Sequence, residues 1–169
     1  SMIEYITSGS FANVSTVFTL DLSNNAITGI QFRAFEPMSA MTTLDLSNNQ
    51  LTSVSGIFIL RNAITTIDLS NNALIDEDIM GALDITVESL TLSNNNLTFL
   101  PFSSDNSYDT LTFLNLSHNQ ITALEGQNRL VDGTSGLWNL RTLDLSYNEI
   151  HTMHQRVFDE MDNLESLTL

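Results

Sequence analysis

The amino-acid sequence predicts an α/β-type solenoid, in which short parallel strands stack into one sheet and a mostly irregular, 3-10 or short-helical limb returns the chain to the next strand. Three observations predict it. The phrase TLDLSNN at Thr19–Asn25 returns unchanged at Thr43–Asn49 and, respelt, as TIDLSNN, LTLSNNN, LNLSHNQ and LDLSYNE. Its asparagine falls at Asn25, Asn49, Asn72, Asn95, Asn119 and Asn148, at intervals of 24, 23, 23, 24 and 29 residues, the period range of stacked supersecondary units. Apolar residues two apart, such as Leu20/Leu22 and Leu44/Leu46, place their side chains on one face of an extended segment.

Each element follows in order. Residues 1–16 carry Ile3, Ile6, Phe11 and Val14, leading to Val17 in steps of 3, 5, 3 and 3, which Ile27, Ile30, Phe35, Met38 and Met41 repeat. The chain is therefore expected to open inside a preceding, partial repeat. Six repeats start near residues 17, 41, 64, 87, 111 and 140, each with its two-apart pair: Leu20/Leu22, Leu44/Leu46, Ile67/Leu69, Leu90/Leu92, Leu114/Leu116 and Leu143/Leu145. One strand alone could not bury these side chains. Stacking makes a continuous column, worth about 1.5–3 kcal/mol for each fully buried aliphatic side chain. Residues 164–169, LESLTL, stop within a seventh strand signature. A single domain spanning 1–169 is expected, cut from a longer array, since neither end carries the polar cap of a terminal repeat. Ser1–Met2 reads as the remnant of an engineered start.

Together the positions spell L-x-x-L-x-L-x-x-N-x-L. With that pattern the chain resembles the leucine-rich repeat superfamily, closest to the repeats of about 24 residues in receptor-type ectodomains. The resemblance implies a horseshoe whose parallel sheet lines the concave face, a surface that in this family often binds proteins or peptides. The cysteine-paired caps and the plant-type G-x-I-P phrase are missing, which points away from a plant receptor kinase.

The phrase asparagines Asn25, Asn49, Asn72, Asn95, Asn119 and Asn148 stand where the backbone leaves the strand. Their amides can donate and accept, so they are expected to form an internal structural ladder. The serines at 23, 47, 70, 93, 117 and 146 are as regular and receive the same structural reading. Function is then sought in what the fold does not dictate. The first four repeats are hydrophilic and monotonous at the outward positions, whereas repeats five and six place Phe113, Asn115, His118, Asp144 and Tyr147 there. Exposed aromatics beside polar neighbours suit an interface, so these five are the candidate ligand-binding patch.

The 29-residue fifth repeat carries its surplus within Glu125–Asn139, an insertion containing Asp132 and Trp138. Insertions in solenoids map to loops. Trp138 lies two residues before Leu140 and is expected to fill the enlarged convex limb.

Other clusters have plainer readings. Asp21, Asp45 and Asp68 form a carboxylate row about 4.8 Å apart, which is the common spelling of this repeat rather than a calcium site; no D-x-D-x-D-G loop is present. His151 and His154 lack a third ligand in sequence, so no metal is expected. Sequons at Asn13, Asn96 and Asn115 are candidate glycosylation sites, at chance frequency for this composition. No cofactor is implied.

Composition narrows the partners. The chain has 20 acidic residues, five arginines and no lysine, for a net charge of -15. Nucleic acid and anionic membranes require clustered cations, so neither is expected as a partner. No apolar run is long enough to insert directly into a membrane. Cysteine is absent, excluding a disulfide framework and a thiol nucleophile. There is no G-x-S-x-G elbow, glycine-rich phosphate loop or H-E-x-x-H, so the segment is expected to be non-catalytic, with any enzyme, such as a kinase, attached outside it. The resulting expectation is a protein- or peptide-binding segment of a larger receptor-like protein, extracellular or at the cell surface. The alternative is an intracellular, cytoplasmic scaffold or regulator of a signalling partner.

Overall fold

The computed structural model describes residues 2–54, 57, 64–75, 79, 87–101, 108–124, 137–159 and 161–169. Among them are eleven short strands: β1 (Tyr5–Ile6), β2 (Thr19–Asp21), β3 (Gly29–Ile30), β4 (Thr43–Asp45), β5 (Thr66–Asp68), β6 (Ser89–Thr91), β7 (Phe113–Asn115), β8 (Ala123–Leu124), β9 (Thr142–Asp144), β10 (Thr152–Met153) and β11 (Ser166–Thr168). Seven of them, β2, β4, β5, β6, β7, β9 and β11, form one parallel sheet in chain order. Leu20, Leu44, Ile67, Leu90, Leu114, Leu143 and Leu167 are in register across it.

The pleat explains the sheet's two faces. In β4, β5, β6, β7 and β9 the central Leu or Ile is buried while the residues before and after it stay half-exposed, the period-2 alternation of a one-sided sheet. The second leucines, Leu46, Leu69, Leu92, Leu116 and Leu145, are fully buried behind the strands. Sheet bonding continues through them: Leu46 N–H donates to Asp68 O at 2.8 Å, and Leu92 N–H to Asn115 O at 2.8 Å. The result is a solenoid of parallel strands with the sheet on its concave face, a horseshoe.

The return limb packs the other side of the core. Ile27, Phe35, Met38 and Met41 are all fully buried, and Phe35 stacks on Phe11 of the preceding limb at 5.7 Å between centroids. Among the described residues the limb runs through turns. It also holds two parallel pairs that the sequence pattern does not announce: Ile6 opposite Ile30, and Leu124 opposite Met153. Counterpart limbs stack one repeat apart, so extended dipeptides in equivalent places can exchange backbone bonds. At the first pair the spacing is close: a Cβ on Gly29 would meet the ring of the exposed Tyr5 at 2.7 Å, so a larger residue there would push that ring aside.

The fifth repeat's extra length leaves the sheet undisturbed. Phe113, Leu114 and Asn115 pair with Thr142, Leu143 and Asp144 in the register used everywhere else, so the surplus is taken up between Leu124 and Leu137. Residues 125–136, with the insertion residue Asp132, lie outside the described residues. Trp138 does not fill the convex limb: it is 47% exposed, and Leu137 and Leu140 occupy the core instead. Asn163 Nδ2 donates to the Trp138 carbonyl at 2.7 Å, tying the backbone of this exit to the next repeat.

Candidate binding site on the concave face

The turn that follows each strand is built by the phrase itself. Asn119 Nδ2 donates to Leu116 O, to Ser117 O and, across the repeat boundary, to Leu92 O, while its Oδ1 accepts Leu97 N–H at 3.0 Å. Asn49, Asn72, Asn95 and Asn148 make the same set. Asn25 makes the bonds within its own turn and accepts from Ile3 N–H. An aliphatic side chain there would strand both a carbonyl set and an amide in a buried site.

The outward aspartates are also part of the turn. Asp21, Asp45, Asp68 and Asp144 each accept the N–H of the serine two residues on, at 2.8 to 2.9 Å, and Asn115 does the same for Ser117. This is the Asx turn, available to either Asp or Asn. Ser117 and Ser146 add hydroxyl bonds to the same Oδ1 atoms, at 2.7 and 2.6 Å. At Asp21 the Ser23 side chain, and then its backbone N–H, hold the carboxyl below the usual aspartate range.

Beyond the serine, one residue per repeat turns left-handed. Asn24, Asn48, Asn71, Asn94, His118 and Tyr147 have φ between 54° and 56°. Asparagine is suited to this region because its short polar side chain bonds locally, and Asn24 and Asn48 do so to the preceding serine hydroxyl, at 3.0 and 3.3 Å. His118 and Tyr147 hold the same backbone without that help. The cost is modest for histidine, which visits the region more readily than most residues, and fuller for tyrosine. Their rings stack with centroids 4.1 Å apart and planes 8° from parallel. Strand spacing of about 4.8 Å places equivalent side chains at stacking distance, and identical φ makes the rings nearly parallel. His118 is exposed, and Tyr147 is 75% exposed.

A sequence profile described as Leucine rich repeat matches residues 2–51 and 15–74, and one described as Leucine Rich repeats (2 copies) matches residues 109–155. The chain belongs to the leucine-rich repeat family. Comparison with curated proteins finds no significant match. Among solved structures it is similar to TLR13 in its complex with ssRNA13, at 24% identity and TM-score 0.75, over 99% of this chain and 23% of that one. It is also similar to the Drosophila Toll–Spatzle complex, at 26% identity and TM-score 0.71, over 99% of this chain and 25% of that one. A Pollen Receptor Kinase 3 matches at 24% identity and TM-score 0.66, over 90% of this chain and 73% of that one. The chain spans about a quarter of the first two. Likeness at 24% shows the fold alone, yet TLR13 with its RNA shows that a leucine-rich repeat fold can accompany nucleic acid. An expectation against nucleic acid therefore rests on this chain's charge and not on its architecture.

Within this leucine-rich repeat the five patch residues do not form one cluster. His118 and Tyr147 are stacked, and Asn115 and Asp144 are register partners between them and the strand starts. Phe113 is half-buried at the opposite, N-terminal end of β7, opposite Thr142, and makes no ring contact with the pair among the described residues. The sequence signal for the left-handed site was present in four consecutive asparagines at one outward position, which plain hydrophilicity does not require. Of the sequons, Asn13 and Asn96 are exposed, whereas Asn115 is half-buried and engaged with Ser117. His151 Nδ1 lies 3.0 Å from Glu149 O, and His154 Nδ1 accepts Arg156 N–H, on an exposed stretch of the return limb. Among the described residues no three metal-ligating side chains converge, and no helix is long and apolar enough to cross a membrane.

Proposed function

We propose that this leucine-rich repeat segment is a non-catalytic protein- or peptide-binding part of a larger receptor-like protein, displayed extracellularly or at the cell surface. The binding patch lies on the concave face at repeats five and six, with His118, Tyr147, Asn115 and Asp144 at its centre and Phe113 at its far end. One observation carries the reading. His118 and Tyr147 replace asparagine at left-handed positions where asparagine serves the fold better, and they do so in adjacent repeats, stacked and exposed. Residues that the scaffold disfavours are retained for another use. The partners of similar solved structures, Spatzle for Toll among them, support a binding role.

The test is selection of a displayed random-peptide library on the wild type and on the double variant His118→Asn/Tyr147→Asn, which restores the phrase of the other repeats. Peptide families enriched on the wild type and lost on the variant support the patch. The same enrichment on both proteins removes it.

A further inference from the structure

We infer that the concave sheet recognises a basic, arginine-bearing segment of a protein partner, through the free oxygens of the outward aspartates together with the His118–Tyr147 stack. The inference rests on the reading that the concave face is the binding surface and adds the chemistry of what it binds.

The face is an unpartnered sheet surface of one charge. Its outward positions in β2, β4, β5, β6, β7, β9 and β11 are Thr, Ser, Phe, Asp and Asn, with no Lys or Arg. Asp45, Asp68 and Asp144 each direct Oδ1 to a serine N–H, and their second oxygens have no partner among the described residues. The described arginines are all ion-paired: Arg33 with Glu36 at 4.0 Å and Arg156 with Asp159 at 2.6 Å on the return limbs, and Arg141 with Glu165 at the rim where the chain enters β9 and β11. A chain of net charge -15 thus spends its described cations on its rims and return limbs and leaves the sheet uncompensated. Like charges one strand apart repel, and a cationic partner relieves that repulsion while anions are turned away.

Arginine fits the arrangement better than a compact cation. Its planar fork can donate to two carboxylate oxygens at once, and the same plane stacks on aromatic rings. The aspartates and the aromatic pair lie on one surface, so an extended segment crossing the strands meets carboxylates first and rings last. Asn115 and Thr91 interrupt the carboxylate row between Asp68 and Asp144, dividing the face into an acidic stretch and an aromatic one.

The experiment uses fluorescein-labelled Gly-Ser peptides carrying four arginines, four lysines, four glutamates or no charge, with binding read by fluorescence anisotropy at low and moderate salt. The arginine peptide is expected to bind tightest, with salt weakening it. Asp45→Asn/Asp68→Asn, which keeps the Asx turn as Asn115 does, should weaken it about fivefold. Tyr147→Ala, with no change in charge, should weaken the arginine peptide several-fold. Glu4→Gln/Asp162→Asn, an equal loss of charge away from the face, should leave binding unchanged. Equal weakening by the two charge-matched double variants, unchanged binding by Tyr147→Ala, or tighter binding of the uncharged or glutamate peptide each overturns the inference. Library peptides that depend on His118 and Tyr147 but lack arginine would overturn it too, while leaving the binding patch in place.

Discussion

The first four repeats and the last two share one backbone and differ in what they hang on it. At Asn24, Asn48, Asn71 and Asn94 the left-handed turn carries the residue that suits it, whereas at His118 and Tyr147 the same φ carries two aromatic rings. The strand register and the asparagine bonding set are the same in both regions. Scaffold and surface are thus separable within one seven-residue phrase. Neighbouring letters of it, such as Asn94 and Asn95, have unrelated jobs.

The largest expected effect tests that separation directly. Asn119→Ala removes four bonds at a buried site and should lower unfolding stability by on the order of 4 kcal/mol in urea titration, whereas Asn94→Ala, one letter earlier in its own repeat, should cost only about 1 kcal/mol. Comparable losses at both positions would erase the distinction. Next comes the fifth repeat's exit. Leu137→Ala should cost about 2–5 kcal/mol by emptying a core place, and Trp138→Ala less than about 1 kcal/mol, as its exposure implies. The reverse order would return the tryptophan to the core.

Transplanting the difference gives a smaller effect. Asn71→Tyr puts an unstacked ring on a left-handed backbone and is expected to cost about 1–2 kcal/mol. His118→Asn/Tyr147→Asn relieves the same strain but loses a ring stack worth about 0.5–1.5 kcal/mol. Its thermal midpoint should therefore equal or slightly exceed that of the wild type. A clear loss of stability in that variant would make the pair a structural element instead of a retained surface. The smallest effect is at Asp21, whose carboxyl is held low by Ser23. A depressed folded value stabilises above the ordinary aspartate range, near pH 3.9, and that contribution fades as pH falls through the folded value. Asp21→Asn keeps the turn but loses the charge-assisted part of it, so acid titration followed by circular dichroism should show a slightly flatter acid limb and a slightly lower stability at neutral pH.

The fold was legible to an unusual degree because a solenoid is nearly one-dimensional. The spatial neighbour of Leu44 is its counterpart Leu20 one period away, so writing the repeats beneath one another already draws the sheet. The candidate site was legible in part. His118 and Tyr147 stand out as departures from a phrase, but Phe113, marked by the same logic, lies at the other end of the strand from them. The exchange between Leu137 and Trp138 was hidden because the insertion breaks the period, and without it spacing no longer says which apolar residue faces inward.

By itself the sequence determined the repeat, the parallel sheet, the buried leucine column and the place of each asparagine, since those follow from periodicity and the need to satisfy backbone groups. Only the tertiary structure decided the pairing of the return limbs at Ile6/Ile30 and Leu124/Met153 and the stacking of His118 on Tyr147. The physical reason is the same in both. Limb pairing and ring contact depend on three-dimensional spacing between residues one repeat apart, and the identity of a letter in the phrase does not carry that spacing.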